Sequence, residues 1–145
     1  MIALADIIDR LVANAPGLRS VQGAAELAAL LASKKPIVGQ PFAHVVPNGV
    51  RGTEVTASTG MFVQNVEHLF AVYLTIPATA DRAGAKALPD ALALQAEVIT
   101  ALAGWAPDDV SGVFRLARAG LQRFEPGIIA YVIEFAISDQ LRITP

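Results

Sequence analysis

The sequence predicts an α+β domain: a mostly antiparallel or mixed β-sheet of about four strands, with two N-terminal helices and one long helix packed on one face, plus an extended hairpin arm or loop. Three observations carry this prediction. Apolar residues recur at helical spacing in two N-terminal segments and again before Gly104. Alternating apolar strands fill the second half, and the last two are joined by Glu125-Pro126-Gly127-Ile128, whose Pro-Gly pair suits the centre of a type II turn. Strict alternation of strand and helix is absent, which argues against a parallel βαβ sheet.

Residues 3–14 place Leu4, Ile7, Ile8, Leu11 and Val12 on one helical stripe, and Asn14, Pro16 and Gly17 end it. Val21 sits among polar residues, as in a short strand. Residues 23–33 form an alanine-rich helix with a stripe of Leu27, Leu30 and Leu31; Lys34 and Lys35 complement its dipole and Pro36 stops it. Phe42 to Val46 has strand composition, and Pro47-Asn48-Gly49 is a turn signal. Within the arm from Asn48 to Gly60, Thr53 to Ser58 alternates polar and small residues, with Val55 the only large apolar group, as expected of an exposed hairpin arm or a mobile loop. Phe62 to Ile76 is the clearest strand: Phe62, Val66, Phe70, Val72, Leu74 and Ile76 share one parity. Ala78 to Lys86 reads as a solvated loop. A helix then runs from Pro89, at home in a first turn, to about Ala103, with Gly104 as its C′ residue and Trp105 packing back. Val113 to Phe124 and Ile128 to Ile137 are the closing strands, with Gly120 marking a bulge in the first.

The 145 residues fit a single domain, 1–145. The chain has no cysteine, which excludes disulfides, thiolate metal sites and cysteine nucleophiles. Hydrophobic residues make up 54% and charged residues 17%, with a mean hydropathy of +0.50. That is too apolar for disorder, and it points to surface buried against partners. The net charge of −2 offers no basic excess for gripping nucleic acid. No apolar stretch approaches the ~20 residues of a membrane helix. Asp6 and Asp9 stand where a secretory signal would have basic residues, so neither a membrane partner nor a leader is expected.

Motifs for catalysis are lacking. His44 and His68 have no carboxylate cluster near them in sequence and read as structural or surface histidines. No phosphate loop and no nucleophile elbow occurs. Asp108 and Asp109 are adjacent carboxylates in a turn, where capping and solvation are the ordinary roles. No catalytic residue, cofactor or metal is therefore expected. The charged positions of interest are Asp81 with Arg82, and Arg115, Arg118 and Arg123 on one strand. On a lone domain they solvate the surface; in an assembly they form an electrostatic rim between subunits.

The chain resembles the tail terminator (tail completion) proteins of long-tailed bacteriophages. The resemblance rests on Leu18-Arg19-Ser20-Val21-Gln22-Gly23-Ala24 leading into the second helix, Pro41 to Pro47, and Gln64 with Phe70 and Val72. It rests further on Ala101-Leu102-Ala103-Gly104-Trp105 followed by Pro107, and on Tyr131 and Phe135 in the last strand. It implies a homo-hexameric ring in the virion, assembled in the host cytoplasm, at the head-proximal end of the tail tube. Such a ring ends tube polymerisation and offers a surface to the head connector or stopper, with DNA passing through its lumen as cargo. Within it, Asn48, Arg51, Glu54, Asp81, Arg82, Arg115 and Arg118 are candidate contacts to neighbouring subunits or the tube. The alternatives are another head–tail joining or neck connector protein, a small enzyme with an unrecognised site, and a monomeric ligand-binding domain.

Overall fold

The computed structural model describes residues 2–33, 39–78, 87–107, 112–125 and 127–144. Their order is α1 (Leu4–Asn14), β1 (Val21–Gly23), α2 (Ala24–Ser33), β2 (Phe42–Ser58), β3 (Met61–Ala78), α3 (Ala87–Leu102), β4 (Arg115–Glu125) and β5 (Gly127–Ile143). The strands form a mixed sheet in the order β1-β2-β3-β5-β4. Only β1 and β2 are parallel; the other pairs are antiparallel. The α+β class is as expected, with five strands in place of about four.

The expected arm is a hairpin, and both its sides belong to the sheet. β2 continues from Phe42 through Asn48 and Arg51 to Ser58, paired with β3 along its length. Two bulges, between Pro47 and Gly49 and between Gly52 and Val55, absorb the residues that read as turn signals. The turn itself comes later, where Gly60 adopts a φ of 88°, a conformation costly for any residue with a Cβ. β5 pairs with β3 from Ala78 back to Phe62, so the distal arm is three strands wide.

Cross-strand partners share a face, so the register sorts the sheet into two surfaces. On face 1, Val45, Val72 and Ile133 align, as do Ala43 and Leu74. This face carries the core. Val72, Leu74, Ile133 and Ile137 are buried against Ile7 and Leu11 of α1 and Ala91, Val98 and Leu102 of α3. A fully buried aliphatic side chain contributes about 1.5–3 kcal/mol, which outweighs the helix propensity of a short segment such as α1.

Phe114 locks the helix layer to the sheet. Its ring meets Phe70 and Phe135 edge-on, with centroids 5.9 and 6.4 Å away, and stacks on Trp105 at 5.9 Å. Its backbone exchanges hydrogen bonds with the end of α3: Gly104 N–H donates to Phe114 O and Phe114 N–H donates to Trp105 O, each at 2.8 Å. Gly104 makes this possible with a φ of 80°. Arg10 of α1 closes the corner. Its Nε donates to Ala101 O at 2.9 Å, and its guanidinium lies 5.4 Å from the Trp105 ring centre.

One helix departs from expectation. α1 and α3 cover face 1, but α2 buries no residue and lies over face 2, where Leu27, Leu30 and Leu31 border Tyr73 and Thr75. The cause is connectivity. β1 and β2 are parallel, so the chain between them must cross over one face of the sheet. α2 is that crossover. Beneath it, His44 is buried with its edge-on neighbour Phe42 at 5.5 Å, and its Nδ1 has no hydrogen-bond partner among the described residues. Burial lowers the His44 pKa, and the Glu26 carboxylate opposes this in part.

Two outcomes follow from this packing. Phe114→Ala should destabilise the fold by about 3–5 kcal/mol, read from urea unfolding by Trp105 fluorescence. His44 folds best uncharged, so its contribution is complete above the unfolded histidine pKa of about 6.5 and is lost as pH falls toward the lower folded value. The stability of the wild type should therefore fall more steeply below that pH than that of His44→Gln, and parallel pH profiles would refute the assignment.

Candidate intersubunit and docking surfaces

Face 2 carries a row of ion pairs that the register assembles from three strands. Arg51 of β2 stands opposite Glu67 of β3. Glu67 accepts hydrogen bonds from Arg51 and, across β5, from Arg115 at the start of β4. The intervening β5 positions are Ala136 and Ser138, whose small side chains leave the span open. The two guanidinium groups hold the Glu67 carboxyl below its ordinary pKa, the hydrogen bond from Arg51 counting most. Next along, Arg118 is paired with Glu134 on β5, with Nε 2.9 Å from Oε2. All three arginines are at least half exposed, so these pairs organise a charged surface and add little stability.

Face 1 changes character where the helices stop. The pairing sets Val55 beside Gln64 and Leu141, Phe62 beside Ile143, and Val50 beside His68. Val50, Val55, Phe62, Leu141 and Ile143 are all exposed. His68 and Asp139 lie on the same face, with Nε2 and Oδ2 3.5 Å apart. A second apolar opening lies on face 2 at the other end of the sheet. It is a groove of about 490 Å³ under α2, bordered by Leu27, Leu30, Leu31, Tyr73, Ile128 and Ala130, with Thr75 and Gln122 as its polar lining.

Of the residues singled out in the sequence, Arg51, Arg115 and Arg118 share one face, the first and second through Glu67. Asn48 and Glu54 are exposed in the two bulges of β2, apart from that row. Asp81 and Arg82, Lys34 and Lys35, and Asp108 and Asp109 lie outside the described residues. Glu67 and Glu134 escaped the sequence reading because only the strand register gives them partners. The apolar strip escaped it because the residues come from three strands. Among the described residues no group of three or more His, Asp or Glu side chains is placed to hold a metal ion. No described helix is long and apolar enough to cross a membrane.

The family model for the phage tail terminator protein matches residues 1–145. No curated protein matches the sequence. Among solved structures, a chain from the virion of a native gene transfer agent particle is similar in fold. It has a TM-score of 0.53 at 18% identity, over 97% of this chain and 100% of that one.

The ion-pair row can be checked by titration. The Glu67 carboxyl should titrate below an ordinary glutamate in a carboxyl-carbon NMR experiment, and Arg51→Gln or Arg115→Gln should raise its pKa. A Glu67 pKa unmoved by both substitutions would show that the pairs do not persist in solution.

Proposed function

Since the chain belongs to the phage tail terminator family, we propose that it acts as a structural ring, built of six copies, that caps the head-proximal end of a tail tube. One surface of the ring docks on the last tube layer. The other lacks the tube's own elongation surface, so growth ends there and a head connector or stopper protein finds its seat. This is control by geometry: a heterologous contact that would otherwise repeat is closed into a ring and presented with a different outer face. DNA passes through the lumen as cargo, and no catalytic step, cofactor or membrane contact enters.

The observation that carries this reading is the family match across the whole chain, and the arm agrees with it. A three-stranded arm extending past its own helix layer, with exposed apolar residues on one side and paired arginines on the other, is suited to neighbours. Asn48, Arg51 and Glu54 on the arm, and Arg115 and Arg118 beside it, are the described candidates for subunit or tube contacts. Asp81 and Arg82 complete that set. The gene transfer agent chain is a component of a virion, and we assign this chain to a virion as well.

Tail length in particles lacking the protein tests the proposal. Loss of a terminator yields overlong tubes by electron microscopy. Tails of normal length left unattached to heads would instead identify a joining protein of the neck.

A further inference from the structure

Charge is divided between the two sides of the molecule. Between Glu134 and Arg142, the register places four arginines on face 2, Arg51, Arg115, Arg118 and Arg142, against two glutamates, Glu67 and Glu134. All four arginines are exposed. Arg142 donates to the Gln140 side chain and has no carboxylate partner among the described residues. The chain as a whole carries −2, so this row runs against its overall sign. The helix layer over face 1 has the opposite balance. There α1 and α3 carry Asp6, Asp9, Asp90 and Glu97 against Arg10 alone. A cleft of about 400 Å³ opens between α1 and the segment after α3, lined by Asp6, Asp9, Asn14, Trp105 and Pro107. Arg10, the one basic residue of that lining, is held by Ala101 O and the Trp105 ring. The sheet lies between the row and these carboxylates, so they do not meet within one chain.

We propose that the arginine row of one copy docks on the acidic outer side of α1 and α3 of the next, with one guanidinium seated in the cleft beside Asp6 and Asp9. This rests on the ring reading and names its contact. The two surfaces are complementary in sign and distinct in place, so each copy gives one and receives one, the head-to-tail arrangement that a ring requires. Their lengths agree as well. Glu134 to Arg142 spans roughly 26 Å along β5, and the 16 residues of α3 span about 24 Å. The glutamates within the row favour a protein over nucleic acid. They repel a continuous phosphate chain, whereas discrete carboxylates can each find an arginine.

Charge reversal tests the contact. One variant carries Arg118→Glu with Arg142→Glu, and a second carries Asp9→Lys with Asp90→Lys. All four positions are exposed, and circular dichroism with Trp105 fluorescence confirms the fold. Each variant alone should raise the concentration at half-assembly about tenfold or more in sedimentation and native mass spectrometry. Mixing the two should restore assembly as alternating copies, and so should one chain carrying all four changes. Raising salt from 0.1 to 1 M should weaken wild-type assembly, because the screening length falls from about 10 to about 3 Å. Rings that form equally well in both variants would overturn the contact and leave the ring reading intact. Restoration on mixing, with open chains and no closed species, would keep the contact and overturn the closed ring. Normal rings in the first variant with loss of binding to duplex DNA would assign the row to phosphate instead. A wild type that stays monomeric at low salt and high concentration would overturn both ideas.

Discussion

The governing constraint is a mismatch of lengths. β3 has 18 residues and α3 has 16. At about 3.3 Å per residue a strand of that length spans close to 60 Å, whereas a helix at 1.5 Å per residue covers about 24 Å. A helix layer of this size cannot cover the whole of the strand it packs on, and Phe62 at the far end of β3 stays exposed. The sheet therefore has to leave its helices behind, and the arm is what remains. β2 and β5 follow β3 outward because an unpaired strand of that length would expose its backbone donors and acceptors. The core, the arm and the two differing faces all derive from this one long strand.

The periodicity of a single face was legible from the amino acids. The parity of Phe70, Val72, Leu74 and Ile76 marks the buried side of β3, and Ile129, Ile133, Phe135 and Ile137 mark that of β5. Gly104, Trp105 and Pro107 announced the end of α3, though not the partner that matters most. Phe114 is nine residues beyond Trp105, and only the closed fold brings the rings together. The arm was harder. Pro47, Asn48, Gly49 and Gly52 are local turn signals, and two bulges overrule them because β3 offers a continuous row of partners. The side taken by α2 was illegible, since it depends on the parallel pairing of β1 with β2, which three residues cannot announce. For the candidate contacts, Arg51, Arg115 and Arg118 stood out by charge. Their carboxylates did not, because a Glu within an alternating strand looks the same whether it is paired or solvated.

The two faces of the arm offer two kinds of force. Apolar burial on face 1 is short-ranged and supplies affinity once surfaces touch. The arginine–glutamate row on face 2 is electrostatic, acts over a longer distance and weakens with salt. The two surfaces therefore respond differently to the same solution. Arg10, Trp105 and Phe114 hold α1, α3 and the sheet together at the base of the arm.

The ladder of β3 with β5 runs without a bulge from Phe62 to Ala78. Side chains on such a ladder alternate with a period of two. Unless a bulge such as those of β2 absorbs the difference, the β3–β5 pair keeps its faces only when it is lengthened in even steps. Adding two residues to each strand extends it by about 6.6 Å and keeps the apolar side on the same side. Adding one turns the outer part over and presents charge where apolar surface had been. Variation in arm length should then behave like gearing, with even increments preserving the two faces and odd ones exchanging them.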